Sequence, residues 1–305
     1  MKPVLETKIV FLGIGLMGKP MARRLLAAAY PVTVWNRTYA KAAALEPDGA
    51  KVAATALEAV QQSGAGVIIT MLEDGNAVAE VIQDILPALR AGSTVIDMSS
   101  IQQAQAQVLH AQLQAHGHQF MDAPVSGGVI GAEAGTLAIM AGAEMAVYQQ
   151  MEAILATMGK PMRVGGPGTG QLAKLCNQLI VGGTINIVAE ALLLAQAGGA
   201  DPAAVRHALR GGFAESRILE VHGQRMLDRT FMPGGQVKSQ AKDMENILLA
   251  AQDAGVSLPI TSLVSEVYRG LLQTYPHADH SAALLALEQH NPGKRLGEQP
   301  DVLPD

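Results

Sequence analysis

From Lys8 to about residue 165, short apolar or β-branched runs alternate with stretches of helical period. Runs at 8–13, 32–35, 66–71, 94–98, 119–122, 136–141 and 161–164 read as strands, and their alternation with helices predicts stacked βαβ units on a mostly parallel sheet. After the first run, Met17, Met21 and Leu25 recur every four residues, which predicts a helix over 17–29 with one face against that sheet. Beyond the glycine cluster Gly165-Gly166-Pro167-Gly168-Thr169-Gly170 the strand pattern stops. Helical periods follow at about 171–197, 202–210, 217–228, 239–254, 260–273 and 281–289, punctuated by Gly, Pro and Asp. The expected fold class is therefore α/β: a Rossmann-type, doubly wound domain over 1–165, then an all-α domain over 166–290 opened by a long interdomain helix. Residues 291–305 carry three prolines and no apolar period, and read as a tail with little core to join. A length of 305 residues suits two cores better than one.

Composition narrows the function classes. Hydrophobic residues make up 49% and charged residues 16%, as in a tightly packed globular enzyme. The 22 basic residues are scattered among 27 acidic ones without forming a stripe, which argues against nucleic acid as a partner. The single cysteine, Cys176, permits no intramolecular disulfide, and a reducing cytoplasm is the expected location. Cys176 lies two residues from Lys174, about 200° away on an ideal helix, and is read as a small buried hydrophobe. The run Ile9 to Gly18 followed by Ala27-Ala28-Ala29 loosely resembles a signal peptide, but Lys19, Arg23 and Arg24 break that pattern. Leu179 to Gly199 contains Glu190 and is read as a buried helix, so no membrane partner is expected. His277 and His280 stand three apart without a third ligand cluster, and no metal is assigned.

The first βαβ unit carries the clearest chemistry. A dinucleotide pyrophosphate needs backbone N–H donors at close range, and side chains at the wrong positions of a turn block its approach. In Gly13-Ile14-Gly15-Leu16-Met17-Gly18 the first glycine permits the tight turn, the second admits the pyrophosphate, and the third lets the helix pack on the strand. The helix N-terminus then faces the anion. At the end of the second strand, an acidic residue would bind the ribose 2′-hydroxyl of NAD; here the chain reads Asn36-Arg37-Thr38. Arg37 with the Thr38 hydroxyl suits the 2′-phosphate of NADP, so NADP(H) is favoured and NAD(H) remains open.

Three further segments accompany this turn: Asp122-Ala123-Pro124-Val125-Ser126-Gly127-Gly128, Gly168-Thr169-Gly170-Gln171-Leu172-Ala173-Lys174-Leu175-Cys176-Asn177-Gln178, and Lys242-Asp243. With these four motifs in order, the chain resembles the β-hydroxyacid dehydrogenases over nearly everything from Lys8 to Glu288. Gly211-Gly212-Phe213-Ala214, Ser216 to Glu220 and Asp279-His280-Ser281-Ala282 look most like the tartronate semialdehyde reductase branch, with the 3-hydroxyisobutyrate dehydrogenases close by. The resemblance implies that Lys174 is catalytic and that Ser126, Gly127 and Gly128 bind the substrate carboxylate. It also implies that Lys242 lies near the nicotinamide end of the coenzyme, and that Met71, Leu72 and Ser100 touch that coenzyme. Glu73 departs from the family, which commonly has proline there, so the shape of its loop stays open.

The chemistry supports the lysine independently of the resemblance. Hydride transfer to an aldehyde puts negative charge on the carbonyl oxygen, which must be stabilised and protonated, and an ammonium does both. Asn177 and Gln178, three and four positions on, share the Lys174 face of a helix and are expected to meet the substrate. The expected substrate is a small carboxylate-bearing aldehyde or hydroxy acid, with tartronate semialdehyde, 3-hydroxyisobutyrate, succinic semialdehyde and glyoxylate as competing choices. A reading of a different class, a cofactor-binding module that recognises a partner without turnover, is opposed by the complete Lys174, Asn177 and Ser126 set. Alanine- and glycine-rich helices in the second half suit close packing between copies, so a homodimer or homotetramer is expected.

Overall fold

The computed structural model describes residues 6–304 and divides into two compact units, 1–174 and 175–305. Residues 1–5 and 305, counted above in the first domain and the tail, lie outside the described residues. The division falls inside a helix and not at the glycine cluster, because the first turn of that helix is bonded to the first unit.

Unit 1 is built on a sheet whose strands are β1 (Ile9–Leu12), β2 (Val32–Trp35), β3 (Lys51–Val52), β4 (Val67–Thr70), β5 (Thr94–Asp97), β6 (Gln119–Asp122), β7 (Val125–Ser126), β8 (Leu137–Gly142) and β9 (Gly159–Gly165). Its order is β3-β2-β1-β4-β5-β6-β8-β7, with β9 beside β8. The pairings from β3 through β6 are parallel, while β8 meets β6 and β7 antiparallel. The first six strands in the order 3-2-1-4-5-6 form a doubly wound sheet, with a switch point between β1 and β4 where ligands bind at the strands' carboxyl ends. The seven strands read from the sequence are present. Only β3 and β7, two residues each, escaped the periodicity because they are too short to show one.

Period-2 alternation places a separate core on each face of the sheet. Ile9 and Phe11 of β1 pack with Met21 and Leu25 of helix α1 (Gly18–Ala27), whereas Val10 and Leu12 face the opposite layer. That layer comes from α3 (Ala56–Ser63), α4 (Gly75–Ile85) and α5 (Gln103–Ala115), following the short α2 (Tyr39–Ala43). Each fully buried aliphatic side chain here removes apolar surface worth roughly 1.5–3 kcal/mol. Helices α6 (Gly128–Ala134) and α7 (Met145–Leu155) complete the unit.

Helix α8 (Thr169–Ala197) begins in unit 1 and continues into unit 2, which otherwise contains α9 (Pro202–Ala208), α10 (Arg217–Leu227), α11 (Val237–Asp253), α12 (Pro259–Leu271) and α13 (Ala283–Gln289). Two expectations about α8 are corrected. It is long and apolar enough to cross a membrane by length and composition, and only 39% of its most apolar window is buried: Ile185, Ala189 and Leu192 lie in the core of unit 2 while the opposite face is exposed, so the helix is buried along one face and not all round. Cys176 is exposed, not buried. It lies four residues from both exposed Leu172 and exposed Ile180, so all three occupy one uncovered stripe of the helix.

The tail is corrected too. Leu296 is fully buried in the core of unit 2, and Val302 pairs with Thr230. Buried Arg229 binds Glu288 in bidentate fashion at 2.7 and 2.8 Å, Asp301 at 2.5 Å and the Leu296 carbonyl at 2.7 Å. A polar anchor of this kind leaves no apolar period in the sequence.

Candidate active site

The glycine turn leaves β1 at the switch point. Gly13 adopts φ +108°, and a Cβ there would strike the Met71 carbonyl and Leu72. A Cβ on Gly18 would strike the Gly13 carbonyl, so this glycine allows α1 to pack against the turn. Nothing lies within 4 Å of a Cβ built on Gly15, and neighbouring Leu16 is 84% exposed. The turn is therefore tightly packed on its protein side and open at Gly15, the position a pyrophosphate must approach. This cradle fits a dinucleotide.

Asn36 braces the turn: its Oδ1 accepts from Ile14 N at 2.9 Å and its Nδ2 donates to the Thr38 carbonyl at 3.1 Å. Arg37 and Thr38 beside it are exposed. Half-buried Met71 and Leu72 follow β4, and Ser100 follows β5. Leu72 N donates to Ser99 Oγ at 2.9 Å, which joins the two loops. Exposed Glu73 leads into Asp74, whose carboxylate caps α4 by accepting from Ala77 N at 2.9 Å.

Two buried acids close β5 and β6 side by side. Asp97 Oδ1 accepts from the Thr70 hydroxyl at 2.8 Å and from Ser99 N at 3.1 Å. Asp122 accepts from Gly168 N and Gln171 N, both at 2.7 Å, and so caps the start of α8. Burial pushes both carboxyls up to about 6, against the pull of these hydrogen bonds. Glycines at 142 and 170 permit the cap, since a Cβ at either would meet the Asp122 carboxylate within 2.5–2.9 Å.

Lys174 sits half-buried on α8, three residues beyond Gln171. Ser126 ends β7, while Gly127 and Gly128 form the exposed start of α6. The carboxyl edge of the unit 1 sheet thus carries the glycine turn, the 36–38 segment, the loops after β4 and β5, the Ser126–Gly128 segment and the helix of Lys174.

In unit 2, half-buried Asn177 donates to Gln178 Oε1 at 2.8 Å. Gln178 is buried, and its Nε2 donates to Asp243 Oδ2 at 2.7 Å, so this side chain ties α8 to α11. Lys242 is half-buried on α11, adjacent to Asp243. Among the described residues no group of three or more His, Cys, Asp or Glu is placed to hold a metal. Sequence reasoning passed over Asp97, Ser99 and Gln171. Two polar residues closing an apolar strand, Asp97 and Asp122, were the available signal.

Comparison with known proteins agrees with this geometry. Residues 8–176 match the model for the NAD binding domain of 6-phosphogluconate dehydrogenase, and residues 168–287 match that for the NAD-binding of NADP-dependent 3-hydroxyisobutyrate dehydrogenase. The chain is 40% identical over 286 residues to 2-hydroxy-3-oxopropionate reductase of Escherichia coli, covering 92% of this chain and 97% of the relative. It is 32% identical to 2-(hydroxymethyl)glutarate dehydrogenase of Eubacterium barkeri, covering 86% and 88%. A solved structure of Mycobacterium tuberculosis 3-hydroxyisobutyrate dehydrogenase with L-serine superposes with a TM-score of 0.84 at 30% identity, covering 92% of this chain and 99% of that one. The open glycine cradle at the switch point and the matches along both units lead to one assignment: the chain belongs to the NAD(P)-dependent β-hydroxyacid dehydrogenase family of oxidoreductases.

Proposed function

We propose that this protein is an NADP(H)-preferring reductase of small carboxylate-bearing semialdehydes, with tartronate semialdehyde reduced to D-glycerate as its best-matched reaction. The observation that carries the proposal is the arrangement in unit 1, where the open glycine turn packs against the loop after β4, the lysine-bearing helix is bonded to the loop after β5, and the bond from Leu72 N to Ser99 Oγ joins those two loops. When bound, the coenzyme supplies the hydride. Gly13–Gly18 would hold its pyrophosphate, Arg37 and Thr38 its 2′-phosphate, and Met71, Leu72 and Ser100 its nicotinamide half. Asn36 acts by bracing the turn. Lys174 stabilises the negative charge that develops on the substrate oxygen and gives that oxygen its proton. Ser126 and the amides of Gly127 and Gly128 receive the carboxylate, Asn177 orients the substrate and Lys242 serves the coenzyme. Gln178 contributes through its bond to Asp243.

The substrate choice follows the 2-hydroxy-3-oxopropionate reductase similarity. The competing choice, 3-hydroxyisobutyrate, follows the structural likeness to its dehydrogenase. The preference for NADP rests on Arg37 and on the likeness, at 25% identity and a TM-score of 0.81, to a solved protein bound to NADP+. NADPH and NADH oxidation is to be followed with a panel of semialdehydes. Tartronate semialdehyde is expected to give the highest kcat/KM, and Lys174→Ala to lose about 100- to 10,000-fold in kcat. Turnover of no panel member, or full activity in the lysine variant, refutes the mechanism. Arg37→Ala is expected to erase the preference for NADPH, and an unchanged preference removes that part of the reading.

A homo-oligomer is part of the proposal. Ile180, Ile187 and Leu194 repeat every seven residues along α8 and are 63%, 62% and 74% exposed, an apolar stripe suited to a second copy. Light scattering is expected to give a dimer or tetramer mass, and a monomer would refute it. Cytoplasmic location is proposed on the reducing character implied by one unpaired cysteine.

A further inference from the structure

We propose that Gln171 is a positioning residue that sets the placement of Lys174; the proposal rests on the lysine mechanism above. Gln171 is fully buried. Its Oε1 accepts from Ile101 N at 3.1 Å, and its Nε2 donates to the Ser99 carbonyl at 2.8 Å. Its main-chain N donates to Asp122 Oδ2 at 2.7 Å. One residue therefore joins the loop after β5 and the end of β6 to the first turn of α8.

Glutamine is the side chain this bridge requires. A planar amide presents one donor and one acceptor at the same end, matching a carbonyl and an N–H two residues apart in the loop. Glutamate lacks the donor, and methionine lacks both groups. The surroundings allow little slip, because a Cβ on Gly170 would meet the carbonyl of Asp122 at 2.5 Å. Lys174 follows three residues later, about 4.5 Å along the axis and about 60° around it, so any displacement of the Gln171 turn is passed to the lysine. Ser99 extends the connection: its Oγ accepts from Leu72 N at 2.9 Å. Leu72, Ser99 and Gln171 thus form a continuous hydrogen-bonded path from the loop after β4 to the helix of the lysine. A displacement of about 1 Å at a reacting group can lower a rate by about 100-fold. The bridge therefore acts mainly on the chemical step, in which the hydride arrives as Lys174 delivers its proton, and less on coenzyme binding, which it reaches only through the backbone beside Ser100 and Leu72.

The test compares wild type, Gln171→Met and Gln171→Glu, each alone and with Lys174→Ala. Gln171→Met is expected to lower kcat about 10- to 100-fold, by a larger factor than it raises the coenzyme KM. It should also enlarge the deuterium isotope effect on kcat with 4-deuterated coenzyme. Gln171→Glu is expected to regain kcat on acidification, because a neutral carboxyl restores a donor to the Ser99 carbonyl. On the Lys174→Ala background neither substitution should lower the residual rate further. A loss of the same size on that background, or wild-type kcat in Gln171→Met, overturns the proposal. A readout without substrate separates its failure from failure of the lysine mechanism. In reductively 13C-methylated protein, the Lys174 signal, assigned by its loss in Lys174→Ala, should shift in Gln171→Met. An unchanged chemical shift and titration overturns the positioning role, whatever the assay shows. Full turnover by Lys174→Ala instead refutes the lysine mechanism and, with it, the basis of this one.

Discussion

The two units bury carboxylates in opposite electrostatic settings. Unit 1 places Asp97 and Asp122 at neighbouring strand ends, among hydroxyl and amide donors, and burial pushes both carboxyls up to about 6. Unit 2 buries Asp279 beside His222 at 3.1 Å and Arg225 at 3.0 Å, with the amides of Gly234, Gly235 and Ser281 also directed at it. Burial raises this acid too, but the hydrogen bond and charge of His222, together with Ser281, outweigh it and hold the carboxyl well below the usual range. Equal burial thus gives shifts of opposite sign, decided by whether the donors bring charge.

The signs lead to opposite pH dependence. In unit 1 the folded acids titrate above their unfolded value of about 3.9, so their stabilising contribution is complete below pH of about 4 and is lost as pH rises through about 6. In unit 2 the contribution of Asp279 is present above about 4 and is lost only as pH falls through its depressed folded value. The single tryptophan, Trp35 on β2, reports unit 1 by fluorescence, while hydrogen exchange in peptides from 217–289 reports unit 2. The largest expected effect is that of Asp279→Ala, which leaves Arg225 and His222 without their shared acceptor. It should cost about 3–5 kcal/mol and lower the urea midpoint seen by exchange in the 217–289 peptides more than that seen by Trp35. Equal wild-type midpoints would show that Asp279 is not the clamp of unit 2.

A smaller effect is expected from Asp122→Asn, although Asp122 shares the environment of Asp97. Both of its oxygens accept main-chain N–H groups at 2.7 Å, so an amide must point its own N–H₂ at one of them. The loss should be about 1–3 kcal/mol, read as a lower Trp35 midpoint at neutral pH. An unchanged midpoint would mean that the start of α8 holds without its cap.

The same contrast explains what was legible in the sequence. The glycine turn could be read because each glycine meets a local requirement: Gly13 contacts Met71 and Leu72, Gly18 contacts the turn itself, and Gly15 stays open. Strands β1, β4 and β5 announced themselves as apolar runs because both faces are covered. The cap made by Asp122 joins residues 46 and 49 positions apart, and the Gln171 bridge joins residues about 70 apart, distances at which a sequence carries no period. Gln178 was legible as a residue on the Lys174 side of α8, but its bond to Asp243, 65 positions on, was not. The anchoring of 291–304 was hidden for the same reason, since it depends on Arg229 reaching Glu288 and Asp301.

The smallest effect sharpens the comparison most. Asp97 Oδ1 is matched by the Thr70 hydroxyl and the Ser99 amide, whereas Oδ2 is buried and has no hydrogen-bond partner. In Asp97→Asn the amide oxygen keeps both contacts, and the N–H₂ takes the place of an oxygen that accepts nothing. The substitution removes a charge disfavoured by burial and by neighbouring Asp122. At pH 7 it is therefore expected to leave unit 1 unchanged or to stabilise it by up to roughly 3 kcal/mol, the free energy corresponding to the raised titration point. Wild-type unit 1 should be less stable at pH 7.5 than at pH 4.5 in Trp35-monitored urea unfolding, and Asp97→Asn should flatten that slope. A variant equally destabilised at both pH values would show that Oδ2 makes an indispensable contact, and that unit 1 holds this acid, like Asp279, for its charge.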